Sequence, residues 1–233
     1  MNLKTKAVFN WSGGKDSALA LQKTLADKNI EVVALFTTFN EESQKTSMHS
    51  IPLALLSLQA ESIGIPLFTM YFSKDLNNYD KKMLEAVTHF KTMGVTHFIF
   101  GDLSSSGLKS YRESKLNPLQ IEVLEPLWDK TSDEIINEFL DSDIKSKIIV
   151  TQEGKLDKSY IGKTLDKRLV NSFPPDIDVC GEQGEYHTFA YDGALFKFPI
   201  NFSIPNTFKT TYEFKLEDGT QQTCVYWSAD FNL

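Results

Sequence analysis

The chain has 233 residues, 41% of them hydrophobic and 24% charged, a composition typical of a globular protein with one large domain or two modest ones. The formal net charge is −7, and because residues 1–130 carry equal numbers of basic and acidic side chains, the acidic excess lies in residues 131–233. This balance argues against a protein that grips extended nucleic acid, and the lack of a long apolar run argues against a membrane-spanning helix.

The first nine residues lack the apolar core of a signal peptide. Two cysteines, Cys180 and Cys224, are too far apart to form a CxxC pair and too few for a disulfide framework. We therefore expect a cytoplasmic protein.

Strand-like and helix-like segments alternate through the first part of the chain. Predicted strands cover residues 7–11, 31–36, 67–72, 95–100 and 121–124. Predicted helices cover residues 16–26, 52–63, 79–93 and 133–140. The alternation predicts a doubly wound α/β fold, with a parallel sheet wrapped by helices, over residues 1–140.

The pattern changes after about residue 145. Predicted here are a strand at 147–151, a helix at 160–170, and short strands at 188–191, 195–198, 208–214 and 222–227. Turns are expected at Asp192-Gly193 and Asp218-Gly219. Residues 141–233 are therefore predicted to form a smaller α+β subdomain packed on the first, and its last strands, 212–227, form either an internal sheet or the edge of a homodimer.

The most informative motif is Ser12-Gly13-Gly14-Lys15-Asp16-Ser17, the SGGKDS loop, between the first strand and the first helix. Glycines let the backbone present N–H groups to a phosphate at close range, and the following helix adds the positive end of its dipole. Lys15 adds a point charge, and Asp16 can hold the loop or share a magnesium ion. The alternative is a tight turn with Asp16 capping the helix. The spacing differs from that of the Walker loop.

Further polar segments follow the predicted strands in a fixed order. They are Thr37-Thr38-Phe39, Met48-His49-Ser50, Gly101-Asp102, Tyr111-Arg112, Glu125-Pro126-Leu127-Trp128, Gly162-Lys163 and the segment from Cys180 to Thr188. SGGKDS resembles the pyrophosphatase loop of the ATP-pyrophosphatases. The whole series, over about residues 6–200, resembles the diphthine–ammonia ligase family, although Gln183 replaces an expected glycine and Lys163 an arginine.

This resemblance implies a five-stranded parallel sheet with ATP lying over the C-terminal ends of its strands, and Mg²⁺ as cofactor. The implied nucleotide-binding residues are Ser12, Gly13, Gly14, Lys15, Asp16, Ser17, Thr37, His49 and Gly101. Asp16 and Asp102 are the expected metal ligands. Thr37 and His49 have plainer alternatives, as a strand residue and a surface residue, and Gly101-Asp102 could be a simple turn.

The acceptor side of the cleft is expected in the C-terminal part. The candidate substrate-binding residues are Arg112, Trp128, Glu182, Glu185, Tyr186, His187 and Thr188. Arg112 is one of only two arginines and can bind a carboxylate or phosphate at two points, whereas Trp128 is a stacking platform or a core residue. The carboxylates near His187 could bind a metal, orient an amine or transfer protons. The predicted catalytic residues are Lys15, Asp16, Asp102, Glu182 and Glu185.

We therefore predict an ATP-dependent amide ligase that adenylates a carboxylate, releases pyrophosphate and transfers ammonia. The acceptor is a small molecule or a protein, and in family members with the assigned role it is the diphthine side chain of elongation factor 2. The alternatives are a tRNA-modifying ATP-pyrophosphatase, disfavoured by the charge and the missing CxxC pair, and a non-catalytic nucleotide-binding module.

Overall fold

The computed structural model describes residues 4–46, 49–72, 78–103, 107–215 and 220–233. Its first sheet contains five parallel strands in the order β3-β2-β1-β4-β5. These strands are β1 (Thr5–Asn10), β2 (Ile30–Asn40), β3 (Leu67–Phe72), β4 (His97–Ile99) and β5 (Glu122–Leu124). The predicted doubly wound α/β fold and its five-stranded parallel sheet are confirmed.

Six α-helices are found in the described residues. They are α1 (Lys15–Ala26), α2 (Leu53–Ile63), α3 (Tyr79–Thr92), α4 (Leu108–Leu116), α5 (Ser132–Asp141) and α6 (Lys167–Val170). The start of α5 is fixed by a capping box, in which Thr131 Oγ1 accepts from Glu134 N and Glu134 accepts from Thr131 N. None of the described helices has both the length and the apolar character needed to cross a membrane.

The second sheet contains four antiparallel strands in the order β7-β6-β9-β8. They are β6 (Lys145–Gln152), β7 (Tyr186–Asp192), β8 (Ser203–Lys215) and β9 (Gln221–Asn232). This sheet confirms the expected antiparallel C-terminal part. Strands β8 and β9 pair directly and are much longer than predicted, and β7 ends at the predicted turn at Asp192-Gly193. The turn predicted at Asp218-Gly219 lies outside the described residues.

Two apolar layers flank the first sheet, so its central strand β1 is buried on both faces. Val8 belongs to a cluster that includes Phe36, Phe90 and Phe98. Phe9 belongs to a larger cluster that continues without interruption into the second sheet, through residues such as Ile149, Phe189 and Ala229. The two parts of the chain therefore share one core.

The helix predicted at 160–170 is wrong. In its place are a 3₁₀ turn at Lys158–Tyr160, an extended stretch and the short helix α6. The extended stretch runs along β6, where Gly162 N donates to Ile148 O at 2.8 Å and Leu165 N donates to Ser146 O at 2.8 Å. Pairing with a strand has overridden the local helical pattern.

One more local expectation is wrong, and one helix was not predicted. The strand predicted at 195–198 is a turn, in which Phe196 N donates to Gly193 O and Lys197 N donates to Ser62 O on α2. Helix α4 was not predicted, because only its last residue, Leu116, is buried and its sequence shows no apolar stripe.

Candidate functional site

A cavity of about 800 Å³ opens at the C-terminal ends of β1, β2 and β4. It brings most of the predicted site residues together, including Ser12, Lys15, Asp16, Ser17, Thr37, His49, Gly101, Asp102, Arg112, Glu182, Tyr186, His187 and Thr188. Gly13 and Gly14 lie behind this wall, in the turn that carries the lining residues. Ligands bind outside the carboxyl ends of strands in open α/β sheets, and the cavity occupies that position.

The SGGKDS loop is held in shape by its own serines. Ser12 N donates to Ser17 Oγ at 3.2 Å, and Gly14 N donates to Ser12 Oγ at 3.3 Å. Gly13 has φ +84°, and a Cβ there would lie 2.7 Å from Leu56 Cδ2. The loop therefore needs glycine at this position for both conformation and space.

The ammonium group of Lys15 is buried at the centre of the site. Its Nζ donates to Asp16 Oδ2 at 2.7 Å and to Cys180 O at 2.5 Å, and lies 5.3 Å from the centroid of the Tyr186 ring. Burial is the largest single influence and would lower the pKa of Lys15, but attraction to Asp16, Tyr186 and Cys180, together with the hydrogen bond to Asp16, raises the pKa above its ordinary value. Lys15 is therefore a permanent positive charge between the SGGKDS loop and the 180–188 segment.

Strand β7 is bonded directly to the SGGKDS loop. Lys15 N donates to Thr188 Oγ1 at 2.9 Å, and Ala190 N donates to Gly13 O at 2.8 Å. On the other side, a Cβ on Gly101 would lie 2.9 Å from Ser17 Cα, so the end of β4 approaches α1 backbone to backbone. The loop thus lies between β7 and the end of β4, two strands that are far apart in the sequence.

The hydroxyl of Thr37 has a structural use. Thr37 Oγ1 donates to Trp11 O at 2.6 Å and so joins the ends of β2 and β1 at the cavity floor. Thr37 lines the cavity, but its hydroxyl proton is already used in the bond to Trp11 O and so is not available for a second hydrogen bond.

Asp16 and Asp102 both line the cavity, but their surroundings differ. Asp16 Oδ1 is buried and has no hydrogen-bond partner within the described residues, while its Oδ2 is held by Lys15. Asp102 is paired with Arg112. Of the two carboxylates, Asp16 is the one whose unpartnered oxygen is buried in the site, where a bound cation would satisfy it.

Arg112 belongs to a charged cluster in the cavity wall. Its Nη1 pairs with Asp102 and donates to Glu125 Oε1 at 3.2 Å, and its guanidinium carbon lies 3.8 Å from the centroid of the Phe100 ring. The Glu125 side chain is completely buried, and burial raises the pKa of its carboxyl. Glu125 thus orients Arg112, a role that the sequence analysis did not assign to it.

The 180–188 segment is shaped by two carboxylates. Asp178 Oδ1 accepts from Cys180 N at 2.8 Å and Glu182 N at 3.3 Å. Glu185 is fully buried, and its two oxygens accept from Asp178 N at 3.1 Å and Gln183 N at 3.0 Å. Glu185 therefore satisfies backbone N–H groups behind the cavity wall, which it does not line.

The two positions that depart from the family's pattern fit their surroundings. Gln183 is exposed and has no positive φ, so a side chain is accommodated there. The Lys163 ammonium lies 4.4 Å from the centroid of the Tyr160 ring, away from the cavity lining.

Two histidines face each other across the site. The rings of His49 and His187 are 4.6 Å apart between centroids, and His187 Nε2 is buried without a hydrogen-bond partner in the described part of the chain. Burial and the nearby Lys15 charge lower the pKa of His49 to about 4 and that of His187 well below 6.5. Both rings are therefore neutral near pH 7.

Glu182 lines the same cavity as Asp16. Removal from water, followed by repulsion from Asp16, raises the pKa of Glu182 to about 7, although part of the residue faces solvent. A carboxyl of this kind changes protonation within the physiological range and can exchange a proton with a bound amine.

Trp128 is half-buried and is not among the described residues that line the cavity. Its ring lies 5.0 Å from Lys109 Nζ. Instead, the cavity extends between α3 and α4, along an aromatic and aliphatic wall formed by Phe98, Phe100, Tyr79, Met83, Leu84, Tyr111 and Leu116. Sequence reasoning missed this extension because α4 itself was not predicted.

Two family models match the chain, the diphthamide synthase N-terminal domain over residues 5–117 and the diphthamide synthase C-terminal domain over residues 131–221. The diphthine–ammonia ligase of Homo sapiens is 26% identical over 210 residues, which cover 80% of this chain and 78% of the human protein. The enzyme of the same name from Mus musculus is 27% identical over 213 residues, with the same two shares. The Danio rerio enzyme is 25% identical over 218 residues, covering 84% and 86%.

These matches confirm the family predicted from the sequence. They also confirm the predicted class of enzyme, an ATP-dependent ligase that forms an amide. The chain belongs to the diphthamide synthase family.

Proposed function

We propose that this chain adenylates a carboxylate with ATP, releases pyrophosphate, and transfers ammonia to the acyl group with loss of AMP. The observation that carries the proposal is the position of Lys15. Its buried ammonium joins the SGGKDS loop to the Cys180 carbonyl, so the residues proposed for ATP and for the acceptor surround one charge in one cavity.

In the proposed first step, a carboxylate oxygen attacks the α-phosphorus, and the bond to the pyrophosphate oxygen breaks. Lys15 and the helix dipole of α1 stabilise the negative charge that develops on the leaving pyrophosphate. The SGGKDS loop fixes the position of the phosphates, so the step requires positioning and electrostatics and no protein nucleophile.

Asp16 fits the magnesium ion that this chemistry implies. Mg²⁺ prefers oxygen ligands and commonly uses one or two carboxylates together with substrate phosphates. The buried, unpartnered Asp16 Oδ1 supplies such an oxygen, and Asp102, whose Oδ2 is paired with Arg112, is the second candidate ligand. When bound, the ion would neutralise charge on the transferring phosphates.

In the second step, ammonia attacks the acyl carbon, AMP leaves, and the nitrogen loses a proton. We assign the ammonia side to Glu182, Tyr186 and His187, which line the cavity next to Lys15. Glu182 is the group best suited to accept a proton there, because its pKa of about 7 lies close to the working pH.

The acceptor is proposed to be a carboxylate with an apolar body. The relatives carry diphthine in their name, and Arg112 together with the apolar extension between α3 and α4 would suit the charged and apolar parts of such a molecule. The acceptor is either a small molecule or a protein side chain, and we place the reaction in the cytoplasm.

Release of pyrophosphate and formation of AMP test this function. Purified protein is supplied with Mg²⁺, ATP, ammonium and a panel of carboxylates, with diphthine among them. The expected result is AMP and pyrophosphate in equal amounts, only when both a carboxylate and ammonium are present, together with an amide product of matching mass. Production of ADP, or tight ATP binding with no turnover on any acceptor, would contradict the proposal.

A further inference from the structure

The side chain of Gln59, on α2, is completely buried and fully hydrogen-bonded. Its Oε1 accepts from Trp11 Nε1 at 2.9 Å, and its Nε2 donates to Gly13 O at 3.1 Å and to Ala190 O at 2.5 Å. Both amide protons and the carbonyl oxygen are used. A buried amide is retained at low cost only when it is satisfied in this way.

Gln59 connects α2 to two segments that are distant in sequence, residues 11–13 and β7. Trp11 follows β1, Gly13 is in the SGGKDS loop, and Ala190 is in β7, which itself donates from Ala190 N to Gly13 O at 2.8 Å. The Gly13 carbonyl therefore receives two bonds, one from the Gln59 side chain and one from the Ala190 backbone.

The orientation of the Gly13 carbonyl determines the direction of the next N–H group. A trans peptide is planar, so its N–H points opposite to its C=O. Because Gln59 and β7 hold Gly13 O on one side, Gly14 N–H is directed to the other side, where it meets Ser12 Oγ on the cavity wall. Glycine peptides rotate readily when they are not held.

We propose that Gln59 is a positioning residue for nucleotide binding, because it locks the Gly13–Gly14 peptide in the orientation that presents the SGGKDS loop to phosphate. This inference rests on the proposed function, in which the loop holds the phosphates of ATP. Gln59 itself touches no ligand and acts through Gly13.

Ser62 provides a matched control on the same helix. It is also fully buried, and its Oγ donates to Phe198 O at 2.5 Å and accepts from Phe198 N at 3.1 Å. It therefore joins α2 to the C-terminal part just as Gln59 does, but without touching the SGGKDS loop. Loss of either residue should lower thermal stability, and only loss of Gln59 should alter the loop.

The test compares Gln59→Met, Gln59→Glu and Ser62→Ala with the wild-type chain. Met keeps the length without hydrogen bonds, and Glu keeps an acceptor for Trp11 but cannot donate twice. We measure the Kd of a non-hydrolysable ATP analogue by calorimetry, the Tm, and hydrogen exchange of the amides of residues 12–18. Both Gln59 variants should weaken binding by about tenfold or more and accelerate exchange in the loop.

Ser62→Ala should lower Tm but leave the Kd within about twofold of wild type. Equal effects of Gln59→Met and Ser62→Ala on Kd and on loop exchange would overturn the inference and leave the proposed function standing. A wild-type protein that binds no nucleotide would overturn both. Should Gln59→Met fail to fold, Gln59→Asn decides, because it keeps a neutral amide but is one methylene too short to keep all three bonds.

Discussion

At the residue scale, Lys15 has one partner that is adjacent in sequence and one that is distant. Asp16 is its neighbour in the SGGKDS loop, whereas the Cys180 carbonyl comes from the other half of the chain. Because the ammonium is buried, each of these bonds is shielded from water and contributes more than an exposed pair would.

Replacement of Lys15 by Met should therefore affect both stability and activity. Removal of the charge leaves the Asp16 carboxylate and the Cys180 carbonyl unsatisfied, at a cost of about 1–3 kcal/mol in the free energy of unfolding. Pyrophosphate release should fall by about 100-fold or more, because charge on the leaving group is no longer stabilised. Lys23→Met, on the same helix but paired with Glu138 at the surface, is the control and should keep its activity.

The carboxyl of Glu182 predicts how the free energy of unfolding changes with pH. Its pKa is raised from 4.5 to about 7 in the folded chain, so between these values the folded state binds more protons than the unfolded state. The free energy of unfolding contributed by Glu182 should therefore decrease as the pH rises from 4.5 to 7. His49 and His187 contribute with the opposite slope because folding lowers their pKa values.

The comparison of Glu182→Gln with wild type isolates the contribution of Glu182 to the free energy of unfolding, since His49 and His187 contribute to both proteins. Thermal unfolding is followed from pH 4.5 to 7.5. The Tm of the variant should rise relative to wild type across this range and level off above pH 7. Parallel curves would show that Glu182 titrates normally.

Glu185 and Gln59 illustrate what residue types alone can predict about the site. The sequence places Glu185 directly after Gly184 and close to Glu182 and His187, which predicts a catalytic carboxylate. In the folded chain its oxygens instead meet the N–H groups of Asp178 and Gln183. Gln59 carries no motif, since its importance arises only when α2 packs against the loop. Hydrogen-bond partners distant in sequence cannot be predicted from composition or spacing.

At the scale of secondary-structure elements, the contact between β4 and α1 sets the width of the site. A Cβ on Gly101 would lie 2.9 Å from Ser17 Cα, 3.1 Å from Ser17 N and 3.2 Å from Asp16 O. All three are backbone atoms, which cannot move away as a flexible side chain can. The two elements can approach this closely only with glycine at 101.

Gly101→Ala should therefore destabilise the chain by about 1–3 kcal/mol and weaken ATP binding, because α1 and the SGGKDS loop are pushed away from β4. Gly154→Ala is the comparison. It places a Cβ at φ +85° with no atom within 4 Å, so it carries conformational strain without a collision. Chemical denaturation and calorimetric titration measure the two effects. If Gly154→Ala weakened ATP binding as much as Gly101→Ala, the collision would not be the cause.

The limits of the predicted elements were most accurate where the apolar residues of a segment recur at the period of a strand or a helix. Strand β3 was predicted with its observed limits, and α2 and α3 within one residue at either end. The errors fall where another element supplies the hydrogen bonds, as at 162–165 beside β6.

Strand β8 lies at an edge of the second sheet. The homodimer stays a prediction, and this edge is where a second copy of the chain could pair.

At the scale of the whole molecule, the apolar core runs from the first sheet into the second. The division at residues 140 and 141 stays a prediction and coincides with the end of α5 at Asp141. Since Thr188 and Ala190 complete the SGGKDS loop, the two proposed domains share the site as well as the core.

The net charge of −7 bears on the tRNA-modifying alternative. Affinity for nucleic acid depends largely on phosphate neutralisation by basic side chains, and this chain has an acidic excess in residues 131–233 and no basic excess in residues 1–130. We expect no shift of tRNA in a gel assay at physiological salt. Binding that weakens steeply with added salt would instead favour tRNA as the acceptor.

The bond between Ala190 N and Gly13 O also has a consequence for biosynthesis. The SGGKDS loop leaves the ribosome early, but the strand that completes it is made 173 residues after Lys15, counted to Thr188. A nascent chain that has formed the parallel sheet still lacks the clamp on its nucleotide loop. We therefore expect ATP to bind a nascent chain that lacks β7 more weakly than the whole chain, because Thr188 and Ala190 do not yet hold the loop.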